Sequence, residues 1–378
     1  MSAETASPPC ESAAHEGRIY LSPPCTDDAE RGEIDKAFES GYIAPCGPKV
    51  DEFERALATL SGRRYAVAVS SGTAALDLSM AEYGVDASWV VIAPTLTFIA
   101  TVGPAVRRGA TPVFVDCDET GNIDLNLLED ALKAHARHAP KLMVVAVDLY
   151  GRCCDYGKIE ALCSRYGAIL VDDAAEAVGA TCSGRPAGSA GAIGIYSFNG
   201  NKIVTTSGGG ALLTDDGQIA ARARKRSQQS REATLWYEHA EIGYNYRLSN
   251  ILAAIGLAQL RKLPSFVARR GETKRLYQTN ASGTPIVSFL PPVDGENHWL
   301  TVALMRDEHA RDEAIARLAA DQIESRPVWK PMHLQPVFAG CRVFGGEVSQ
   351  DLFCRGLCLP SGSGMTPRDV ERVVAALS

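Results

Sequence analysis

YAVAVSSGTAALDLSMAEYG, residues 65–84, is the stretch that decides the fold. Its first five residues form a short apolar run suited to a strand, and Ser70–Ser71–Gly72 is a turn of small residues. The remainder has helical length and ends on Gly84. The same alternation continues along the chain. WVVIAP (89–94), TPVFVD (111–116), LMVVAVDLY (142–150) and AILVDD (168–173) read as strands. Between them, FIATVGPAVRRG (98–109), NLLEDALKAHA (126–136) and KIEALCSRYG (158–167) read as helices. Strands apolar on both faces and joined by helices imply a mostly parallel sheet covered on both sides, so the fold class is α/β.

Toward the N-terminus, Thr26 or Asp27 caps a short helix in TDDAERGEIDKAFESG (26–41), with Gly41 as its stop. Val50, Phe53, Leu57 and Leu60 share one face of a second helix, which Gly62 ends. Toward the C-terminus the composition changes after about Arg247. SNILAAIGLAQLRKL (249–263) reads as an apolar helix stopped by Pro264, followed by the basic segment VARRGETKRLYQ (267–278). A chain of 378 residues accommodates two domains. The expected organisation is a disordered tail at 1–18, a large domain at 19–245 and a smaller C-terminal α/β domain at 246–378.

Hydrophobic residues at 46% and charged residues at 22% fit a soluble globular chain. With 38 basic against 45 acidic side chains, the net charge of -7 excludes a general attraction to nucleic acid or anionic membrane. Anionic ligands must be held by local groups. The first 18 residues lack the apolar core of a secretory signal, and no run reaches the roughly 18 to 20 apolar residues of a membrane span. Eleven cysteines, an odd number without a CxxC pair, read as reduced and mostly buried thiols and provide no metal site. These features together place the protein in the cytoplasm.

Three segments carry chemistry. SSGTAAL (70–76) leaves a strand and opens a helix, so its backbone N–H groups and Gly72 suit a phosphate; the same turn also serves sheets that bind nothing. Asp173 stands at the carboxyl end of a buried strand, where ligands of open parallel sheets bind, or else caps the segment after it. Asp172 faces the other way in a regular strand. In YSFNGNKIVTTSGGGALLTDD (196–216), Lys202 is enclosed by Phe198, Asn199, Asn201, Ile203 and a glycine run. Such a lysine is either a loop residue in water or an amine whose burial lowers its pKa toward nucleophilic use. Phosphate cradle, carboxylate and amine in this order are the parts of a pyridoxal phosphate site. The carboxylate keeps the pyridine nitrogen protonated, and the amine forms a Schiff base and carries protons.

SSGTAAL, APTLTF (93–98), VDDAAEA (171–177), YSFNGNK, GYNYRLSN (243–250) and PMHLQPVF (331–338) closely resemble the DegT/DnrJ/EryC1/StrS sugar aminotransferases, a branch of fold-type I pyridoxal phosphate enzymes. The resemblance implies a large domain with a mostly parallel sheet flanked by helices, and a smaller C-terminal domain. It implies Lys202 as the Schiff-base lysine, Asp173 as partner of the pyridine nitrogen, and Thr73, Ala74 and Ser197 at the phosphate. Phe98 stacks on the cofactor ring and Glu176 lies near its phenolic oxygen. Asn245 reaches the phosphate of a neighbouring subunit, which implies a homodimer with shared active sites. Asn199 and His333 are implied substrate contacts.

QQSREATLWYEH (228–239) and GYIAPCGPKVDEFE (41–54) resemble the subgroup that aminates UDP-linked 2-acetamido-4-keto-6-deoxyhexoses in bacillosamine-type pathways, with Arg231 and His239 meeting the diphosphate or sugar. The implied reaction moves the amino group of L-glutamate to C4 of such a sugar. Alternatives on the same scaffold are a dTDP-linked keto sugar, a non-nucleotide cyclic ketone, or a non-catalytic regulator. A dehydratase relative carries histidine in place of the lysine, which Lys202 argues against.

Overall fold

The structure is a computed structural model that describes residues 17–137 and 141–378; of the expected tail, residues 1–16 lie outside these. The chain begins with α1 (Asp28–Glu39) and α2 (Pro48–Ser61). Asp27, one of the two expected caps, accepts from the Ala29 N–H while Glu30 reaches back to the Asp27 N–H, closing α1 at its start. In α2, Val50, Phe53 and Leu57 are buried and Leu60 is half-buried, and Gly62 ends the helix in the left-handed region at φ 67°.

From there β1 (Tyr65–Val69), α3 (Gly72–Glu82), β2 (Trp89–Pro94), α4 (Gly103–Arg107), β3 (Thr111–Val115), α5 (Leu125–Ala136), β4 (Lys141–Val147), α6 (Tyr156–Tyr166) and β5 (Ile169–Asp173) alternate. A small hairpin of β6 (Thr181–Cys182) and β7 (Arg185–Pro186) precedes β8 (Ile193–Ser197), β9 (Gly210–Thr214) and α7 (Gly217–Ser227). The main sheet has eight strands in the order β1-β9-β8-β5-β4-β2-β3-β13, with β13 at Arg342–Phe344. Only the pairings of β9 are antiparallel. Both faces are covered: Ala66 and Ala68 join one buried cluster, and Val67 and Val69 join the other. That arrangement explains why the strands read as continuous apolar runs rather than alternating ones.

Beyond α7 comes α8 (Asn250–Asn280), a single helix that runs through Pro264. The expected stop at that proline is therefore corrected. The missing N–H and ring clash cost about 3 kcal/mol in a helix interior, while burial of the adjoining Leu263 and Phe266 returns roughly 1.5–3 kcal/mol each. Tertiary packing outweighs the local breaker. At 31 residues α8 is long enough to cross a bilayer, yet it packs on α1 and α2 and buries Arg270 and Lys274 among its neighbours.

A second sheet, β10 (Ser288–Phe289), β11 (Thr301–Leu304), β14 (Gly356–Leu359) and β12 (Arg326–Pro327), is antiparallel throughout in the order β10-β11-β14-β12. It is accompanied by α9 (Glu308–Ala320), α10 (Glu347–Arg355) and α11 (Pro367–Leu377). Their core includes Tyr277, Leu318, Val370 and Val373, and also Ile19, which pairs with Ile323. The main sheet takes its last strand, β13, from beyond position 246. Of the cysteines, nine described ones are free, but Cys25 is disulfide-bonded, which corrects the expectation that all are reduced.

Candidate active site

Because β1, β2, β4, β5 and β8 run parallel, their carboxyl ends share one edge, and antiparallel β9 brings its first residues to the same edge. That edge of an open α/β sheet is where ligands bind. A cavity of about 340 Å³ opens there, bordered by Ser71, Gly72, Thr73, Phe98, Asp173, Glu176, Ser197, Asn199 and Lys202.

One end of the cavity is built by close backbone approach. Ser71 caps α3 and its hydroxyl accepts from the Ala74 N–H at 3.0 Å, while the Gly72 and Thr73 N–H groups have no hydrogen-bond partner among the described residues. This qualifies the expectation for Ala74, whose N–H is already engaged. A Cβ on Gly72 would stand 3.0 Å from the Ser197 Cβ, and one on Gly210 would collide with the carbonyl carbon of Ser71. Unpaired N–H groups at a helix start, with a serine hydroxyl beside them, suit a dianionic oxygen cluster.

Asp173 is buried at the end of β5 and accepts from the Thr101 hydroxyl at 2.9 Å. With the Asp173 carboxylate ionised, Thr101 spends its proton there, so Thr97, 2.8 Å away, donates to Thr101. Burial pushes the Asp173 carboxyl up to about 6, against the lowering effect of the Thr101 hydrogen bond. Asp172 turns to the other side of the strand and accepts from the Ala190 N–H at 3.2 Å.

Lys202 projects from the turn between β8 and β9, with its side chain only 13% exposed. Its Nζ lies 3.6 Å from Glu176 Oε1 and 4.0 Å from the centre of the Trp299 ring. Burial lowers its pKa, with Glu176 and Asp173 acting in the opposite sense. Both properties suit an amine that must be neutral part of the time.

Glu176 is held from behind, its Oε2 accepting the Tyr150 N–H at 2.8 Å. Tyr150 sits in the left-handed region at φ 54°, and a Cβ on the following Gly151 would collide with Asn297 Oδ1. The Tyr150 hydroxyl accepts the backbone N–H of Trp329 at 2.9 Å, and its ring stacks near both Trp299 and Trp329. These three aromatics were not singled out from sequence. DLYG at the end of β4 and VWKP just before PMHLQPVF were the available signals. Trp299 and Trp329 also border a second cavity of about 610 Å³, walled by Tyr20, Pro23, Glu324 and Arg326.

Not every expected site residue converges on this edge. Phe98 does, half exposed, with its ring 5.4 Å from Trp329. His333 lines neither cavity: its Nδ1 is 2.6 Å from the Thr95 hydroxyl and its Nε2 is 2.8 Å from Gln350. Both ring nitrogens are engaged within the chain. Asn245 is exposed, pairs with Gln228 and is not among the residues that border the cavity of its own chain. Arg231 and His239 pair with each other across an exposed loop; Arg231 rests on the Tyr237 ring at 4.4 Å, and His239 Nδ1 lies 2.9 Å from the Gln229 carbonyl.

These residues fit pyridoxal phosphate. Gly72, Thr73 and Ser197 would hold its phosphate, Asp173 would face its pyridine nitrogen, and Lys202 is within the same cavity as the attaching amine.

Comparison with known proteins shows the family. The chain matches the DegT/DnrJ/EryC1/StrS aminotransferase family over residues 24–378. It is 42% identical over 369 residues to a protein named as a pyridoxal phosphate-dependent aminotransferase, EpsN of Bacillus subtilis, with 95% of each chain covered. It is 35% identical to GDP-perosamine synthase of Caulobacter vibrioides, covering 95% of this chain and 97% of the relative. The crystal structure of DesI in the presence of its TDP-sugar product superposes with a TM-score of 0.85 at 30% identity, over 96% of this chain and 93% of that one. The chain belongs to the DegT/DnrJ/EryC1/StrS aminotransferase family and is a pyridoxal phosphate-dependent aminotransferase.

Proposed function

We propose that this enzyme transfers the amino group of L-glutamate to C4 of a nucleotide-linked 4-keto-6-deoxy sugar, with UDP-2-acetamido-4-keto-2,6-dideoxyhexose as the preferred acceptor. The observation that carries the reading is the meeting of Lys202, Asp173 and the Gly72–Thr73 turn in one cavity at the carboxyl edge of the sheet. The named relatives support a nucleotide-sugar acceptor, since one makes GDP-perosamine and another was crystallised with a TDP-sugar product. The subgroup resemblance of residues 228–239 supports UDP.

The bound cofactor supplies an electron sink next to the substrate carbon. Asp173 holds a proton at the pyridine nitrogen, and the N–H groups of Gly72 and Thr73 with the Ser197 hydroxyl bind and orient the phosphate. Lys202 would first anchor the cofactor and then, released, take a proton from the substrate α-carbon as general base and give it up as general acid to the cofactor carbon that carries the amine. Asn199, at the cavity mouth, contacts the sugar. Glutamate departs as 2-oxoglutarate before the keto sugar receives the amine. Nine of the described cysteines are free against the one disulfide-bonded Cys25, and that balance supports a reducing, cytoplasmic setting.

The purified enzyme, given glutamate and a panel of UDP-, GDP- and dTDP-linked 4-keto-6-deoxy sugars, is expected to consume the UDP-linked acetamido sugar with the highest kcat/KM. Turnover of simple cyclic ketones with none of the nucleotide sugars would sink the reading.

The site is completed by a second copy of the chain, which brings Asn245 to the phosphate and Arg231 and His239 to the diphosphate or sugar. The loop that carries them supports this, because Leu235 and Ile242 stand 99% and 94% exposed in the single chain. Asn245→Ala and Lys202→Ala chains, each inactive alone, are expected to regain about a quarter of wild-type activity when dissociated and mixed, since one of the two sites in each mixed dimer is then intact. If Asn245 served its own chain, mixing would restore nothing.

A further inference from the structure

Trp299 is among the largest fully buried side chains in the protein. Its indole N–H donates to the Asn201 carbonyl at 2.8 Å, and its backbone N–H donates to Asn297 Oδ1 at 2.9 Å, so the ring is fixed in place. Asn297 also donates to the carbonyls of Glu176 and Val178, at 3.1 and 3.0 Å. One buried amide therefore ties the Trp299 backbone to the turn that carries Glu176. The outcome is a niche with two walls, an aromatic face 4.0 Å from Lys202 Nζ and a carboxylate oxygen 3.6 Å from it.

We propose that Trp299 is a positioning residue for amine transfer: its indole face, together with Glu176, receives the protonated amine of Lys202 whenever that amine is not covalently engaged. The proposal rests on the reading of Lys202 as cofactor anchor and proton carrier. When the free amine takes a proton from a substrate carbon, its lone pair forms the new N–H bond and it becomes an ammonium. Burial disfavours that form. The ring quadrupole attracts the ammonium, and does so best where water is excluded. The carboxylates acting on Nζ are Glu176 and Asp173. An indole adds attraction without a further negative charge, which matters in a cavity that must also admit anionic substrates.

The test uses the full-length chain freed of cofactor. It is exposed briefly to acetic anhydride across about pH 6 to 10, and acetylation of Lys202 is followed by peptide mass spectrometry. Only the neutral amine reacts, so the rate climbs to a plateau with a midpoint at the lysine pKa. Trp299→Leu is expected to move the midpoint about one pH unit toward acid, giving about a tenfold faster reaction on the rising limb. Trp299→Phe, which keeps a weaker aromatic face, falls between it and wild type and carries the test alone if the leucine variant does not fold. A mere change in access would scale the rate equally at every pH and leave the midpoint in place. That result, or unchanged profiles in both variants, overturns the proposal. Failure of borohydride to fix pyridoxal phosphate to Lys202 in wild type would instead overturn the anchor reading, and the acetylation profile does not depend on it.

Discussion

Replacing Lys202 by Ala abolishes transamination, with a loss of about 10³-fold or more in kcat. Nucleophilic attachment of the cofactor and proton transfer both depend on the one amine, and general acid–base catalysis alone is worth about 10²–10⁴. The decisive measurement is chemical. Wild-type protein treated with borohydride in the presence of pyridoxal phosphate gains a covalent label at Lys202, and the Ala variant gains none. Persistent labelling at another lysine would remove Lys202 from its assigned role. Because removal of the ammonium leaves the buried Glu176 carboxylate, 3.6 Å away, without that partner, a melting curve of the variant accompanies the labelling.

Asp173→Asn separates stability from function. In the cofactor-free chain the Asp173 carboxyl titrates at about 6, above its ordinary value of 3.8. A raised carboxyl pKa means the folded state binds the proton more tightly than the unfolded state. The favourable contribution is fully present below about pH 4, is lost as pH rises through 6, and leaves a penalty at neutral pH. Asparagine carries no such charge, so the cofactor-free variant is expected to melt a few degrees higher than wild type at pH 7 while being less distinct from it at pH 4. Activity moves the other way. Without a carboxylate to keep the pyridine nitrogen protonated, kcat/KM falls about 10²–10³-fold, the scale for removing one preorganised electrostatic partner. In wild type, cofactor affinity weakens as pH falls below about 6, since the buried carboxyl must first give up its proton; that dependence disappears in the variant. A more stable protein with unchanged turnover would refute the placement of Asp173.

Much of this was legible because it is local. The helix start at Ser70–Gly72, the carboxylate at the end of β5 and the lysine between β8 and β9 each lie within a few residues of the strand that positions them. Parallel strands buried on both faces cannot be mistaken for alternating amphipathic ones. Strand alternation alone says that only one of Asp172 and Asp173 can face the site, and the contact of Asp172 with the Ala190 N–H leaves Asp173 as that one.

Other features required the fold. Pro264 is a breaker by local rules, yet α8 continues because packing on both sides of it outweighs a local cost of a few kcal/mol. His333 lies in a recognisable motif, but only the approach of Thr95 and Gln350 shows that its ring is already occupied. Trp299 and Trp329 are distant in sequence from Lys202, and no periodicity connects them to it.

Sequence by itself determined the α/β class and the order of the proposed site's parts, because backbone period and strand-end chemistry are written within short windows, and resemblance to the family supplied Lys202 as the proposed reacting amine. Only tertiary structure decided which side chains surround that amine. The Tyr150 N–H that aligns Glu176 is 26 residues away in sequence, and Asn297, which ties Trp299 to the Glu176 carbonyl, is 121 residues from Glu176. Such contacts are selected by the packing of the whole core and leave no local pattern to read.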